Sequence, residues 1–201
     1  EQGVLCEPLA IAVYAVKQSH PARGADVAML GAGPIGLCCL VSAKAAGVGD
    51  CYMTEKIDER VEIARRAGAT WVGNPLKEDV VAAILKRKPL GMDIVYECAG
   101  QQETIDQAVD LLKPGGKLLL IGIPREDRIS LSIDKIRRKE VTIVNVRRQN
   151  KCTHEAMDLV ASGAVGVDFM VTHRFGLDRV QEAFGLVAAY RDGVVKAMIE
   201  M

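Results

Sequence analysis

Gly31-Ala32-Gly33-Pro34-Ile35-Gly36 is a G-x-G-x-x-G run between two apolar segments, 26–30 before it and 37–46 after it. Between a strand and a helix, glycines at this spacing can hold an anion. Gly31 permits a tight turn, Gly33 lets the backbone approach a pyrophosphate, and Gly36 lets the helix pack on the strand. Pro34 and Ile35 open the helix, whose free N–H groups and positive dipole end would face the phosphates. Glu55 stands 19 residues after Gly36, at the end of the next apolar run. A carboxylate there can accept from a ribose 2′-hydroxyl, and it repels a 2′-phosphate, which favours NAD over NADP. Lys56 and Arg60 are nearby basic groups able to receive such a phosphate.

Further along, Cys98-Ala99-Gly100 and Ile121-Gly122-Ile123 end two more apolar runs, and their small residues admit a flat ring close to the backbone. Arg147 and Arg148 directly follow the last apolar run of this series, near the expected nicotinamide end. Other chemistry is sparse. The six cysteines contain no C-x-x-C pair. Cys38, Cys39 and Cys98 lie in apolar or small-residue surroundings and read as buried free thiols, which places the chain in a reducing cytoplasm. His20, His154 and His173 form no Cys/His ligand set. The residues offer a cofactor platform without complete machinery for proton removal or alcohol activation.

The elements that must position these residues follow from periodicity. Leu9, Ala12, Val13 and Val16 recur at helical spacing over 8–17, with Pro8 suited to a first turn. Strands are expected at 26–30, 51–54, 70–72, 93–97, 117–122 and 141–146. Helices are expected at 34–46, 58–67, 77–87, 102–112 and 132–139, with a stop and turn at 113–116. Strands this aliphatic are buried on both faces, hence parallel and helix-covered. The alternation predicts an α/β fold, a doubly wound six-stranded parallel Rossmann sheet. Beyond it, a helix at 154–162 and a strand at 169–172 precede a helix from Asp178. Asp178 and Gln181 there have cap chemistry, and Val180, Ala183, Phe184 and Val187 form an apolar face. A strand at 194–199 ends the chain.

A hydrophobic content of 49% with 26% charged residues fits a globular protein with its own core. Zero formal net charge and a pI of about 7.1 argue against nucleic-acid and acidic-membrane partners. The basic cluster of Lys135, Arg137, Arg138, Lys139 and Lys151 lacks interleaved aromatics and reads as a solvated face. No apolar run approaches the ~20 residues of a membrane span. The start lacks a signal-peptide pattern, and, since it is not Met, the chain is expected to be part of something longer.

Taken together, Glu7-Pro8-Leu9-Ala10-Ile11-Ala12-Val13, the glycine run, Glu97-Cys98-Ala99-Gly100, Lys113-Pro114-Gly115-Gly116 and Val171-Thr172-His173-Arg174-Phe175 resemble the zinc-containing medium-chain dehydrogenases. The likeness is to the sorbitol (polyol) branch and, after it, the threonine dehydrogenases. The resemblance implies a GroES-like catalytic domain, with the main zinc ligands, that is otherwise absent here. It implies a linker helix and catalytic-domain remnant at 1–23, an NAD-binding domain at 24–149, and a segment at 150–201 returning to the catalytic domain. By the same resemblance Glu7 reaches the zinc, directly or through water, and contacts substrate, but only alongside the missing ligands. Gly31, Gly33, Pro34, Ile35, Gly36, Glu55, Lys56, Arg60, Cys98, Ala99, Ile121, Gly122, Ile123, Val146, Arg147 and Arg148 line the cofactor, and Arg148 also touches substrate. The expected cofactors are NAD and, in the full enzyme, Zn2+. The expected partners are a small alcohol or polyol and, in the full enzyme, further copies in a dimer or tetramer. The expected activity is oxidation of a polyol or related secondary alcohol by hydride transfer to NAD, with this portion alone inactive. Alternatives are a threonine dehydrogenase, a zinc-independent quinone reductase, or a non-catalytic NAD-sensing module, which the tail at 150–201 disfavours.

Overall fold

A computed structural model describes residues 2–200; Glu1 and Met201, the outermost residues of the two flanking spans, lie outside the described residues. Six strands form one parallel sheet: β1 Val27–Leu30, β2 Cys51–Thr54, β3 Trp71–Gly73, β4 Met92–Glu97, β5 Leu112–Leu120 and β6 Thr142–Asn145, in the order β3-β2-β1-β4-β5-β6. The chain steps outward from β1 through β2 to β3, then returns to place β4 on the other side of β1. The carboxyl ends of β1 and β4 are therefore the topological switch point of a doubly wound Rossmann sheet, where ligands of such folds bind.

Alternate strand residues feed two cores, as a sheet covered on both faces requires. Val27, Met29, Ile94 and Tyr96 pack with α1 Gln2–Ser19, α2 Pro34–Ala45 and α3 Asp58–Arg66. Ala28, Leu30, Val95 and Leu118 pack with α4 Val80–Arg87, α5 Gln102–Leu111 and α6 Ile133–Arg138. The Lys-Pro-Gly-Gly stretch falls inside the span of β5. Met92 pairs with Leu112 and Ile94 already with Lys117, so 113–116 bulge out of the ladder.

The first helix corrects the sequence reading. It begins at Gln2, so Pro8 lies inside it rather than in its first turn. Pro8 cannot donate to the Val4 carbonyl, and a proline in a helix interior costs about 3 kcal/mol. Val4 is solvent-exposed, while Leu5, Leu9, Ala12 and Val13 are buried, so packing outweighs the local break.

The remainder comprises α7 Thr153–Ala161, a 3-10 turn Asp168–Met170, β7 Val171–Gly176, a 3-10 turn Leu177–Arg179, α8 Val180–Ala188 and β8 Lys196–Glu200. β7 and β8 pair in parallel as a separate ribbon, later than the strands expected at 169–172 and 194–199. Helix α7 docks on α1, where Lys17 Nζ meets Glu155 at 2.7 Å, and the first 3-10 turn is tied to the start of α1 by Gln2, which donates to Asp168 at 2.8 Å. The capping expectation at Asp178 fails because the 3-10 turn absorbs it; the residue before α8 is Arg179, which pairs with Glu182. The expected apolar face of α8 is buried only at Ala183, whereas Phe184 and Val187 are exposed.

Candidate functional site

Gly31 adopts φ +104°, a conformation open to glycine, as it donates to Thr54 O at 2.9 Å and turns the chain off β1. A Cβ on Gly36 would overlap the Gly31 carbonyl oxygen, which is why helix and strand can lie this close. Gly33 is the N-cap of α2, in extended conformation, followed by Pro34 at the first helical position. No side chain caps this helix. The atom nearest to a Cβ added at Gly33 is an Arg60 guanidinium nitrogen at 3.8 Å, so the approach to the turn is open. An uncapped helix start behind an open glycine turn is a fit for an anionic pyrophosphate.

Glu55 is 9% exposed and wholly engaged with backbone. Its Oε2 accepts from Ala32 N at 2.8 Å; its Oε1 accepts from Lys56 N at 2.8 Å and Ile57 N at 3.0 Å. The carboxylate thus fixes the turn and the exit of β2 together. Lys56 Nζ bonds Gln101 Oε1 at 3.2 Å and Glu103 Oε2 at 2.9 Å. Arg60 is buried; its Nε donates to Val194 O at 2.9 Å and its guanidinium lies 5.5 Å from the Tyr190 ring centre. Arg60 therefore ties the segment before β8 to the flank of the glycine turn. Tyr52 and Lys56 have Tyr-x-x-x-Lys spacing, but Tyr52 is buried in β2 beside Trp71, with ring centres 6.4 Å apart.

The next two turns back onto each other. A Cβ at Gly122 would overlap Gly100 N, and one at Gly100 would crowd the Ile123 carbonyl. Glu97, which sequence reasoning did not single out as a site residue, organises them. It is 1% exposed, and its Oε1 accepts from Ala99 N at 2.8 Å, Gly100 N at 2.7 Å and Thr104 Oγ1 at 2.7 Å. The available signal was an acid closing an otherwise apolar run before three small residues. Cys98 is held on β1 through its N–H to Leu30 O at 2.9 Å. A hydrogen bond with Cys39, then burial, pushes its thiol well above the ordinary range. Burial likewise raises Cys38. Ile121 and Val146 are buried and Ile123 is exposed.

A pocket of about 290 Å³ opens at these strand ends, walled by Glu97, Gly100, Gly122, Asn145, Val146 and Arg147 among others. Arg147 reaches its wall, whereas Arg148, at φ +55°, is not among the lining residues. A larger open hollow of about 470 Å³ lies beside α3, past the ends of β2 and β3, and is lined by charges such as Asp58 and Lys77, paired at 2.6 Å. Glu7 is exposed on α1. Among the described residues no three His, Cys, Asp or Glu side chains are grouped to hold a metal ion, so the residues present do not fit a zinc site by themselves.

The family described as "Zinc-binding dehydrogenase" matches residues 34–162. A sorbitol dehydrogenase of Bacillus subtilis is 28% identical over 99% of this chain and 57% of its own length. An L-threonine 3-dehydrogenase of Pyrococcus horikoshii is 32% identical over 100% of this chain and 58% of its own. Among solved structures, a zinc-binding dehydrogenase from Sinorhizobium meliloti bound to NADP superposes with a TM-score of 0.91 at 32% identity, over 99% of this chain and 59% of that one. An alcohol dehydrogenase from Escherichia coli CFT073 complexed with NADH gives 0.89 at 25% identity, over 96% and 57%. The chain thus spans a little over half the length of these relatives.

Proposed function

The chain belongs to the zinc-binding dehydrogenase family, and from that premise we propose that it is the NAD(H)-binding portion of an enzyme that oxidises a polyol or related secondary alcohol. The observation that carries this reading is the uncapped start of α2 behind Gly31 and Gly33, with Glu55 bonded to Ala32 N inside the turn. When bound, the nicotinamide dinucleotide supplies hydride exchange with the alcohol carbon. This chain's residues bind and orient it. The first N–H groups of α2 face the pyrophosphate, and Oε2 of Glu55 retains a lone pair for a ribose hydroxyl. Ala99, Gly100, Ile121, Gly122 and Ile123 supply close backbone walls, and Val146 and Arg147 border the pocket at the nicotinamide end. In this reading 24–149 is the cofactor domain, and 1–23 and 150–201 complete a catalytic domain carried on other residues. Metal chemistry would be supplied there, with Glu7 contributing one oxygen at most and Arg148 turned toward substrate. The enzyme as a whole is cytoplasmic and a dimer or tetramer.

A second reading, oxidation of L-threonine, is supported by the threonine 3-dehydrogenase that matches the whole chain at 32% identity. Titration of the chain with NADH, followed by nicotinamide fluorescence, tests the shared premise. Saturable binding in the micromolar range is expected; no binding at millimolar NADH overturns both readings.

A further inference from the structure

Related structures hold either NADH or NADP, so family membership leaves the choice of dinucleotide open. Lys56 and Arg60 are the basic residues next to Glu55 in sequence, and a 2′-phosphate, carrying about −1.5 to −2 charges, needs such a cation facing it. Arg60 is not available for this. The residue is 7% exposed, with its guanidinium bonded to Val194 O and packed on Tyr190. Withdrawing it would leave a buried carbonyl without its donor and detach the segment before β8. Of these two, Lys56 is the one placed to meet the charge.

Lys56 lies just beyond β2 and Glu103 in the first turn of α5, which follows β4. Since β2 and β4 flank β1, their ion pair at 2.9 Å spans the end of β1, where the glycine turn begins. Both partners are substantially exposed, with side chains 37% and 54% accessible, so the pair is weak and solvent-screened. Its effect is on charge rather than on stability. Glu103 neutralises the Lys56 ammonium and competes with any phosphate for it, while Gln101 adds a neutral acceptor at 3.2 Å.

We propose that Glu103 is a specificity-determining residue: by occupying Lys56 across the end of β1 it completes the discrimination against a 2′-phosphorylated dinucleotide that Glu55 begins. The proposal rests on the reading that the chain binds a nicotinamide dinucleotide. Glu103→Gln frees the ammonium and removes one negative charge without disturbing a buried group.

The test is a set of dissociation constants for NADH and NADPH, measured on the chain, Glu103→Gln, Lys56→Met and the double variant. Glu103→Gln is expected to bind NADPH about fivefold more tightly, the size of one exposed ion pair, with NADH changed by less than about twofold. The double variant is expected to lose that gain. An unchanged NADPH constant in Glu103→Gln, or a gain that survives Lys56→Met, overturns the role of Glu103 alone. Failure of the unmodified chain to bind either dinucleotide overturns the cofactor reading and this role with it.

Discussion

Oε2 of Glu55 accepts the backbone N–H of Ala32 at 2.8 Å, so the end of β2 is bonded to the middle of the glycine-rich turn that follows β1. Ala32 is fully buried, and no other partner for its N–H exists among the described residues. The acid that spacing assigned to a ribose hydroxyl is therefore also a strut of the glycine turn.

This double role predicts a double loss. Glu55→Ala orphans a buried N–H and two more at Lys56 and Ile57, at a cost of about 1.5–3 kcal/mol for bonds to a charged acceptor. Urea unfolding is expected to show that loss, and the preference for NADH over NADPH to narrow in the same variant. Glu55→Gln keeps one oxygen for Ala32 N and recovers part of the stability. A Glu55→Ala chain as stable as the parent would remove the strut.

Gly33 and Gly36 separate binding from folding. Alanine at Gly36 overlaps the Gly31 carbonyl, a backbone atom that cannot move aside, and an overpacked site of this kind loses roughly 3 kcal/mol or more. Alanine at Gly33 meets only the Arg60 guanidinium at 3.8 Å, in a backbone conformation any residue adopts. Gly33→Ala is expected to unfold within about 0.5 kcal/mol of the parent, as a tolerated substitution does. Its methyl group stands where a pyrophosphate would approach, so NADH affinity is expected to fall by about tenfold or more. Unfolding curves and NADH titrations on the two variants distinguish these outcomes.

Glu97 deserves the same test at the other turn. Its three donors, Ala99 N, Gly100 N and Thr104 Oγ1, are all at 2.7–2.8 Å on a carboxylate that is 1% exposed. Glu97→Ala leaves them unpaired and is expected to cost about 3 kcal/mol or more, whereas Thr104→Val removes one donor and costs about 1 kcal/mol. Chemical unfolding of both variants measures the difference; equal costs would show that the carboxylate does not organise the turn.

The sheet was legible because six short aliphatic runs, five of them closed by Gly or an acid, leave few alternatives to buried parallel strands. The glycine turn and Glu55 were legible for the same local reason. What sequence could not give were partners far along the chain. Arg60 reads as a phosphate ligand by position, yet its acceptor is a backbone carbonyl 134 residues away. Lys56 reads the same way until Glu103 is brought across β1. The start of α1 was obscured because Gly3 and Pro8 are local breakers, and only tertiary burial of Leu5 and Leu9 overrides them. The apolar stripe on α8 has a true helical period, but period does not say whether anything covers Phe184.

At the opposite end of the sheet, Lys88 predicts how stability depends on pH. Its ammonium meets Asp26 at 2.9 Å and Asp50 at 2.8 Å, joining the end of α4 to the starts of β1 and β2. The hydrogen bond from Lys88 holds the Asp50 carboxyl below its ordinary value, and both carboxylates raise Lys88. A depressed carboxyl contributes stability above its unfolded pKa of 3.8, and that contribution is lost as pH falls through the lower folded value. A raised ammonium contributes below its unfolded pKa of 10.5 and loses that contribution only as pH rises beyond it. The cluster is thus fully formed at neutral pH and fails on the acid side below about pH 4. Lys88→Met is expected to lower stability at pH 7 by about 1 kcal/mol, the scale of a partly exposed ion-pair network. The gap from the parent is expected to close as pH falls below 4, because the parent then loses the same interaction. Urea midpoints from pH 3 to 8 measure it, and a gap independent of pH would show that Lys88 acts through packing of its stem instead of its charge.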